Sequence, residues 1–332
     1  MSRPRSGCSS VSVRTAETGQ ADSKLPTGNF LVASPGERTA TGRTPTDTGV
    51  TVPTTRPEAS PTRTGAQRPA TSLQLYSVNS HLEADLDGTL ARLGEIGLRN
   101  VEAFAFVDRA DELAAAFARH GIAAPTGHAM LVAKEVTREG VTTPVPSHAA
   151  TFEAAKKLGI ELVIDPAVFD WSTREAVEAT ASALNEAARS AAEHGLRVGY
   201  HNHAWELSTL IEGVPALEYF AGLLDDEVVL EVDVYWAHIG GVDAPALLER
   251  LGDRVRALHI KDGPQVENPF VADAPFDPSG LGQVPAGQGA IPLEAALAAT
   301  PSAEFAVIEF DHFDGDIFAA IAASFDYLEN RA

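Results

Sequence analysis

"EVVLEVDVYW" (Glu227–Trp236), followed by "APALLERLG" (Ala244–Gly252) and "RVRALHIKD" (Arg254–Asp262), decides the fold. The outer pieces are short, apolar and rich in β-branched residues, which suits strands buried on both faces. The middle piece has helical spacing and stops at a glycine. A strand, a helix and a second strand of this kind form a parallel βαβ unit.

The same unit repeats outward in both directions. Upstream lie "SLQLYSV" (Ser72–Val78), "RNVEAFA" (Arg99–Ala105), "IAAPTGHAM" (Ile122–Met130), "IELVIDP" (Ile160–Pro166) and "LRVGYHNH" (Leu196–His203). Between them run helical stretches, among them Leu86–Ile96, "ADELAAAFARHG" ending at Gly121, "HAATFEAAKKLG" ending at Gly159 and "TREAVEATASALNEAARSAAEHG". Downstream come "EFAVIEFD" (Glu304–Asp311) and a last helix over Ile317–Asn330. Eight strands, nearly all followed by helices, predict a closed (β/α)8 TIM barrel over residues 71–332. An open doubly wound sheet is the rival, but no glycine-rich phosphate loop follows the first strand.

Residues 1–70 read differently. The stretch "TATGRTPTDTGVTVPTTRPEASPTRTG" has neither a helical nor a strand period, and Phe30 is the segment's only aromatic residue. Such a composition buries too little apolar surface to offset its ordering entropy, so a disordered tail is expected. The net charge is −21, although residues 1–70 hold nine Lys+Arg against five Asp+Glu. The barrel is therefore strongly acidic, which disfavours nucleic acid and anionic membranes as partners. No apolar run is long enough for a membrane span, and no apolar segment follows the early arginines as in a secretory signal. The only cysteine is Cys8, which excludes an intrachain disulfide and fits a cytoplasmic location.

In a barrel of this kind, chemistry gathers at the C-terminal ends of the strands. Those ends carry Gln74 and Tyr76, Glu102, His128, Asp165, His201 and His203, Glu231 and Asp233, His259 and Lys261, and Glu309 and Asp311. Alternation puts His201 with His203, Glu231 with Asp233, His259 with Lys261, and Glu309 with Asp311 on shared faces. If Asp233, His259 and Glu309 point inward, two carboxylates and an imidazole converge, with His201 or His203 beside them. That donor set suits a divalent ion with positions left for substrate. Any one of these residues alone reads as a hydrogen-bonded strand end; four consecutive strands ending this way argue for a site. Tyr76, Phe104 and Trp236 read as packing residues, although Trp236 is also suited to stacking on a sugar. Glu231, one inward step below Asp233, reads as a partner that orients a ligand histidine.

Together, "SLQLYSV", "GLRNVEAF", "VGYHNHAWEL", "LEVDVYWAHIGGVD", "RALHIKDG", "VPAGQGAIP" and "AVIEFD" resemble the sugar phosphate isomerase/epimerase group of xylose-isomerase-like barrels. The resemblance runs from Ser72 to the C-terminus. It implies one divalent metal ion (Mn, Mg, Co or Zn) held by Glu, Asp, His and Glu from strands five to eight. Asp233, His259 and Glu309 match the last three positions, and His201 stands where the family has its first glutamate. The implied ligands are His201, Asp233, His259 and Glu309.

In the group's epimerases the two metal-bound glutamates also act as acid and base. Here only Glu309 fills such a role, and the second proton-transfer group is His203 or Glu206. Lys261 is placed to stabilise an enediolate. Gln74, Glu102, His128 and Trp236 are expected to bind substrate. The implied activity is isomerisation or epimerisation of a sugar or keto-sugar, with β-elimination by a dehydratase or lyase as the alternative. An endonuclease that shares this barrel needs a basic face, which this chain lacks; a non-catalytic sugar-binding barrel would not need Asp233, His259 and Glu309 together. The long Gly/Pro-rich loop Gly263–Pro292 is expected to act as a lid. The expected partners are a small, non-phosphorylated sugar and, as an open option, further copies of the chain in a homo-oligomer.

Overall fold

The computed structural model describes residues 11–12, 68–138, 141–271 and 277–330. Eight parallel strands form one sheet: β1 Ala70–Leu73, β2 Asn100–Ala103, β3 Ala123–His128, β4 Leu162–Asp165, β5 Arg197–His201, β6 Val229–Asp233, β7 Val255–Ile260 and β8 Phe305–Ile308. From β2 to β8 each strand pairs with the next in sequence, and β8 pairs with β1. A parallel bridge between Gln74 and Glu102 joins β1 to β2 and brings the barrel round to closure. The TIM barrel expected from the alternation of strands and helices is therefore the observed fold.

Local chemistry accounts for the helices that cover it. Ser147 and Thr173 accept hydrogen bonds from Ala150 N–H and Ala176 N–H, capping the helices His148–Leu158 and Arg174–Glu193. Gly159 ends the first of these at φ 76°, a left-handed conformation that a side chain would resist. That helix buries Phe152, Ala155 and Leu158. Filling a site such as that of Phe152 is worth about 3–5 kcal/mol, judged by truncation to alanine.

Two strands are shorter than their sequences suggest. β1 stops at Leu73, because the Gln74 side chain accepts a hydrogen bond from Tyr76 N–H and starts a 3-10 turn over Leu75–Val78. β6 stops at Asp233, whose carboxylate accepts from Trp236 N–H and caps the helix Val234–Ile239. An antiparallel hairpin, Glu135–Arg138 with Val141–Pro144, follows β3 and was not expected. Val11–Ser12 pairs antiparallel with Glu135–Arg138, which is the middle strand of the three. This pairing lies inside the segment read as a disordered tail; the rest of that segment up to residue 67 falls outside the described residues. No described helix is long and apolar enough to cross a membrane.

Candidate active site and metal-ligand cluster

Inside the barrel, the polar residues form two connected levels. The deeper one contains Gln74, Glu102, His128, Glu231 and His259. The Gln74 side-chain amide donates to Glu102 Oε1 at 2.8 Å. His128 Nε2 lies 2.9 Å from Glu102 Oε1 and 2.7 Å from Glu231 Oε2. His259 Nε2 lies 2.8 Å and 3.0 Å from the same two oxygens. Both carboxylates are buried. Burial alone would raise Glu102, but His128 and His259 outweigh it and hold the acid well below its ordinary value.

The upper level centres on Lys261. Its ammonium sits 3.1 Å from Asp233, 2.8 Å from Glu309 and 3.0 Å from Asp311. Burial pulls the lysine down, but the carboxylates of Asp233, Asp311 and Glu309 outweigh that and hold it above its ordinary value. Glu309 is opposed by burial but carried well below the usual carboxylate range by Lys261 and His259, whose Nδ1 lies 2.6 Å away. Burial pushes Asp233 up to about 6, against the pull of Lys261 and His259.

Gln283, from the loop after β7, fixes Asp311 from both sides. Its amide nitrogen donates to the Asp311 carboxylate, and its oxygen accepts from Asp311 N–H. The same loop is anchored by Asp262, whose carboxylate accepts from Gly263, Gly287, Gly289 and Ile291 N–H groups. A Cβ at position 289 would collide with that carboxylate and with Gly263 N, which accounts for the glycine. Neither Gln283 nor the cradle around Asp262 stood out in the sequence; the "KDG" and "GQG" turns are the only local trace of them.

His201 bridges the levels. Its Nδ1 lies 3.4 Å from Glu231 and its Nε2 4.0 Å from Asp233. Burial, reinforced by His259 and His203, holds the ring well below its ordinary value, so it is neutral. His203 lies beyond the end of β5 with its ring stacked on Trp205 at 4.4 Å. Burial pushes it down to about 3, helped by Lys261.

Four residues expected to act on or bind the substrate take other places. Glu206 is buried: its carboxylate accepts from Tyr200 O–H at 2.7 Å and from His203 N–H at 2.9 Å. Burial raises it to about 8. It faces Tyr200 and secures the backbone of His203, and it is not aimed at the mouth. Trp236 is 1% exposed and packed against Tyr235 and Phe270, so it offers no open face to a sugar. Gln74 and Glu102 are enclosed on the floor. Tyr76, read as a packing residue, is 44% exposed, edge-on to Phe104. Asp165 is taken up by the Leu131, Val132 and Ala167 N–H groups. In the loop after β7, Phe270 packs edge-on to Trp205 at 4.6 Å; residues 272–276 of the expected lid lie outside the described residues.

Among the described residues, two sets of donors converge closely enough to hold a metal ion: His201, Asp233, His259 and Glu309, and His128, His201, Glu231 and His259. Nitrogen and carboxylate donors at this spacing fit a divalent ion. Buried atoms without a hydrogen-bond partner here, Glu102 Oε2, Glu231 Oε1, His201 Nδ1 and Asp233 Oδ2, fit it as well.

A closed barrel with acids and imidazoles gathered at its strand ends is the architecture of a barrel enzyme. The profile of the xylose isomerase-like TIM barrel family matches residues 90–312, and the chain belongs to that family. Inosose dehydratase from Geobacillus kaustophilus is 34% identical over 86 residues, which is 26% of this chain and 27% of that protein. A sugar phosphate isomerase/epimerase from Parabacteroides distasonis superposes with a TM-score of 0.63 at 19% identity, over 79% of this chain and 98% of the other. The probable 3-DHS dehydratase from Bacillus anthracis superposes with a TM-score of 0.57 at 13% identity, over 80% and 100% of the two chains.

Proposed function

We propose that this barrel removes a proton from the carbon beside a carbonyl of a sugar or keto-sugar. One divalent ion is held in the cluster through His201 and His259, the two imidazoles common to both donor sets. When bound, the ion supplies a fixed positive charge that makes such a C–H more acidic. The observation that carries the reading is Lys261, an ammonium enclosed among Asp233, Glu309 and Asp311. A substrate oxygen that accepts from Lys261 takes hydrogen bonds away from Glu309. The carboxylate thereby becomes a stronger base, and it takes the proton. The electron pair moves onto the carbonyl oxygen, where Lys261 stabilises the developing charge. His203, beyond the end of β5 and stacked on Trp205, is the second candidate for proton transfer.

Two outcomes diverge from this point. Return of the proton to another carbon or another face gives isomerisation or epimerisation. Loss of a β-substituent gives a dehydratase or lyase. His201 stands where the family has a second glutamate and leaves Glu309 without a matching opposed carboxylate. This supports elimination, since that outcome needs one base and one acid and not two symmetric bases. The inosose dehydratase likeness supports the same outcome. A metal-loaded screen against keto-sugars in D2O, read by NMR and ultraviolet absorbance, tests the reading. Deuterium at the α-carbon of recovered sugar indicates isomerisation or epimerisation, and an absorbing enone indicates elimination. Turnover with no exchange at the α-carbon and no enone would refute both.

A further inference from the structure

We infer that the ion sits on the floor of the cluster, in a seat built from His128, Glu231, His259 and Glu102 with His201 above it, and not in the set formed with Asp233 and Glu309. This rests on the reading that the barrel binds a divalent ion. Going round the floor, His128 Nε2, Glu231 Oε2, His259 Nε2 and Glu102 Oε1 stand 2.7, 3.0, 2.8 and 2.9 Å from one to the next. Each imidazole nitrogen carries at most one hydrogen, so hydrogen bonds along the edges serve only two of the four contacts. Donors bound at about 2.1 Å to one ion, at right angles to one another, stand about 3.0 Å apart. A central cation therefore satisfies all four contacts at once. The unpartnered His201 Nδ1, 3.4 Å from Glu231 Oε2, is left facing the same place.

The upper set already faces a cation. The Lys261 ammonium lies 3.1 Å from Asp233 and 2.8 Å from Glu309, so a metal ion seated there would meet it, although Asp233 Oδ2 makes no hydrogen bond. The two seats are also exclusive. The floor uses His259 Nε2 and His201 Nδ1, whereas the upper set faces His259 Nδ1 and His201 Nε2. A neutral imidazole has one nitrogen lone pair to give. With the ion on the floor, His259 Nδ1–H donates to Glu309 and fixes the ring, as the second nitrogen of a metal-bound histidine ordinarily does. Two or three imidazoles with two carboxylates suit a first-row transition ion, such as Zn, Co or Mn, better than Mg.

Cobalt retention and the cobalt d–d spectrum of the full chain test the seat, alongside Glu102→Gln, His128→Asn, Asp233→Asn and Glu309→Gln, each first shown by circular dichroism to be folded. The expected result is one cobalt per wild-type chain and at least tenfold weaker retention in Glu102→Gln and His128→Asn. Asp233→Asn and Glu309→Gln should keep one cobalt with the wild-type spectrum. Loss in the Asp233 and Glu309 variants with retention in the Glu102 and His128 variants would overturn the assignment, and so would a wild type that holds no cobalt. If only one floor variant folds, that variant decides. Cobalt on the floor without deuterium exchange into any keto-sugar would leave the seat standing and remove the proposed reaction.

Discussion

The floor and the mouth of this barrel are both lined with carboxylates, yet they compensate them differently. On the floor, Glu102 and Glu231 face two imidazoles and an amide. At the mouth, Asp233, Glu309 and Asp311 converge on the single ammonium of Lys261. The contrast separates two jobs. An imidazole can give up its proton and offer the lone pair to a metal ion, whereas an ammonium offers hydrogens to a substrate oxygen. Negative charge alone would not have distinguished the two levels; the cation paired with it does.

The division breaks most visibly at Lys261. Lys261→Met leaves three carboxylates enclosed without their ammonium. Removing one partner of a buried ion pair costs about 3–5 kcal/mol. The denaturation midpoint should fall accordingly, and turnover should drop by about 10²–10³. A variant with the wild-type midpoint would show that the three acids are compensated elsewhere.

Glu309→Gln removes the proposed base while keeping the shape of the mouth. It should lower kcat by about 10²–10⁴ and leave the content of bound ion unchanged. Elemental analysis beside steady-state kinetics checks both halves; loss of the ion would merge the two levels into one site.

The smallest effect is expected behind the wall, at Glu206. Burial raises its pKa to about 8 from the ordinary 4.5. Below about pH 4.5 both the folded and the unfolded chain hold the proton. Between pH 4.5 and 8 the unfolded chain loses it and the folded chain keeps it, so stability falls as pH rises through that window. Glu206→Gln removes this dependence. Its advantage over wild type should grow from pH 5 to pH 8 by about 1 kcal/mol per pH unit, read from denaturation at each pH. Parallel profiles for the two proteins would mean that Glu206 is already ionised in the folded state.

Much of this layout was legible before any coordinates. Strand–helix alternation carried the barrel, and strand parity carried the convergence of His201, Asp233, His259 and Glu309. Parity reports which face a side chain takes but not its height, so Gln74 and Glu102 were expected at the mouth and lie on the floor. Helix caps were the second blind spot. Asp233 ends its strand by accepting from Trp236 N–H, which turns Trp236 into a helix and buries it. Gln283 was out of reach because its partner, Asp311, is brought to it only by a loop folded across the barrel. Glu206 lay close to the predicted site in sequence, but Tyr200, on the outer face of β5, draws it away.

The most direct test of the central claim is the rate at which solvent deuterium enters the α-carbon of a turned-over keto-sugar in D2O, followed by NMR for the metal-loaded wild-type chain. Proton removal at the mouth predicts deuterium in recovered substrate or product at a rate at least equal to turnover, or its equivalent, loss of the α-proton into solvent on elimination. Turnover that carries the original α-hydrogen quantitatively into the product would contradict it.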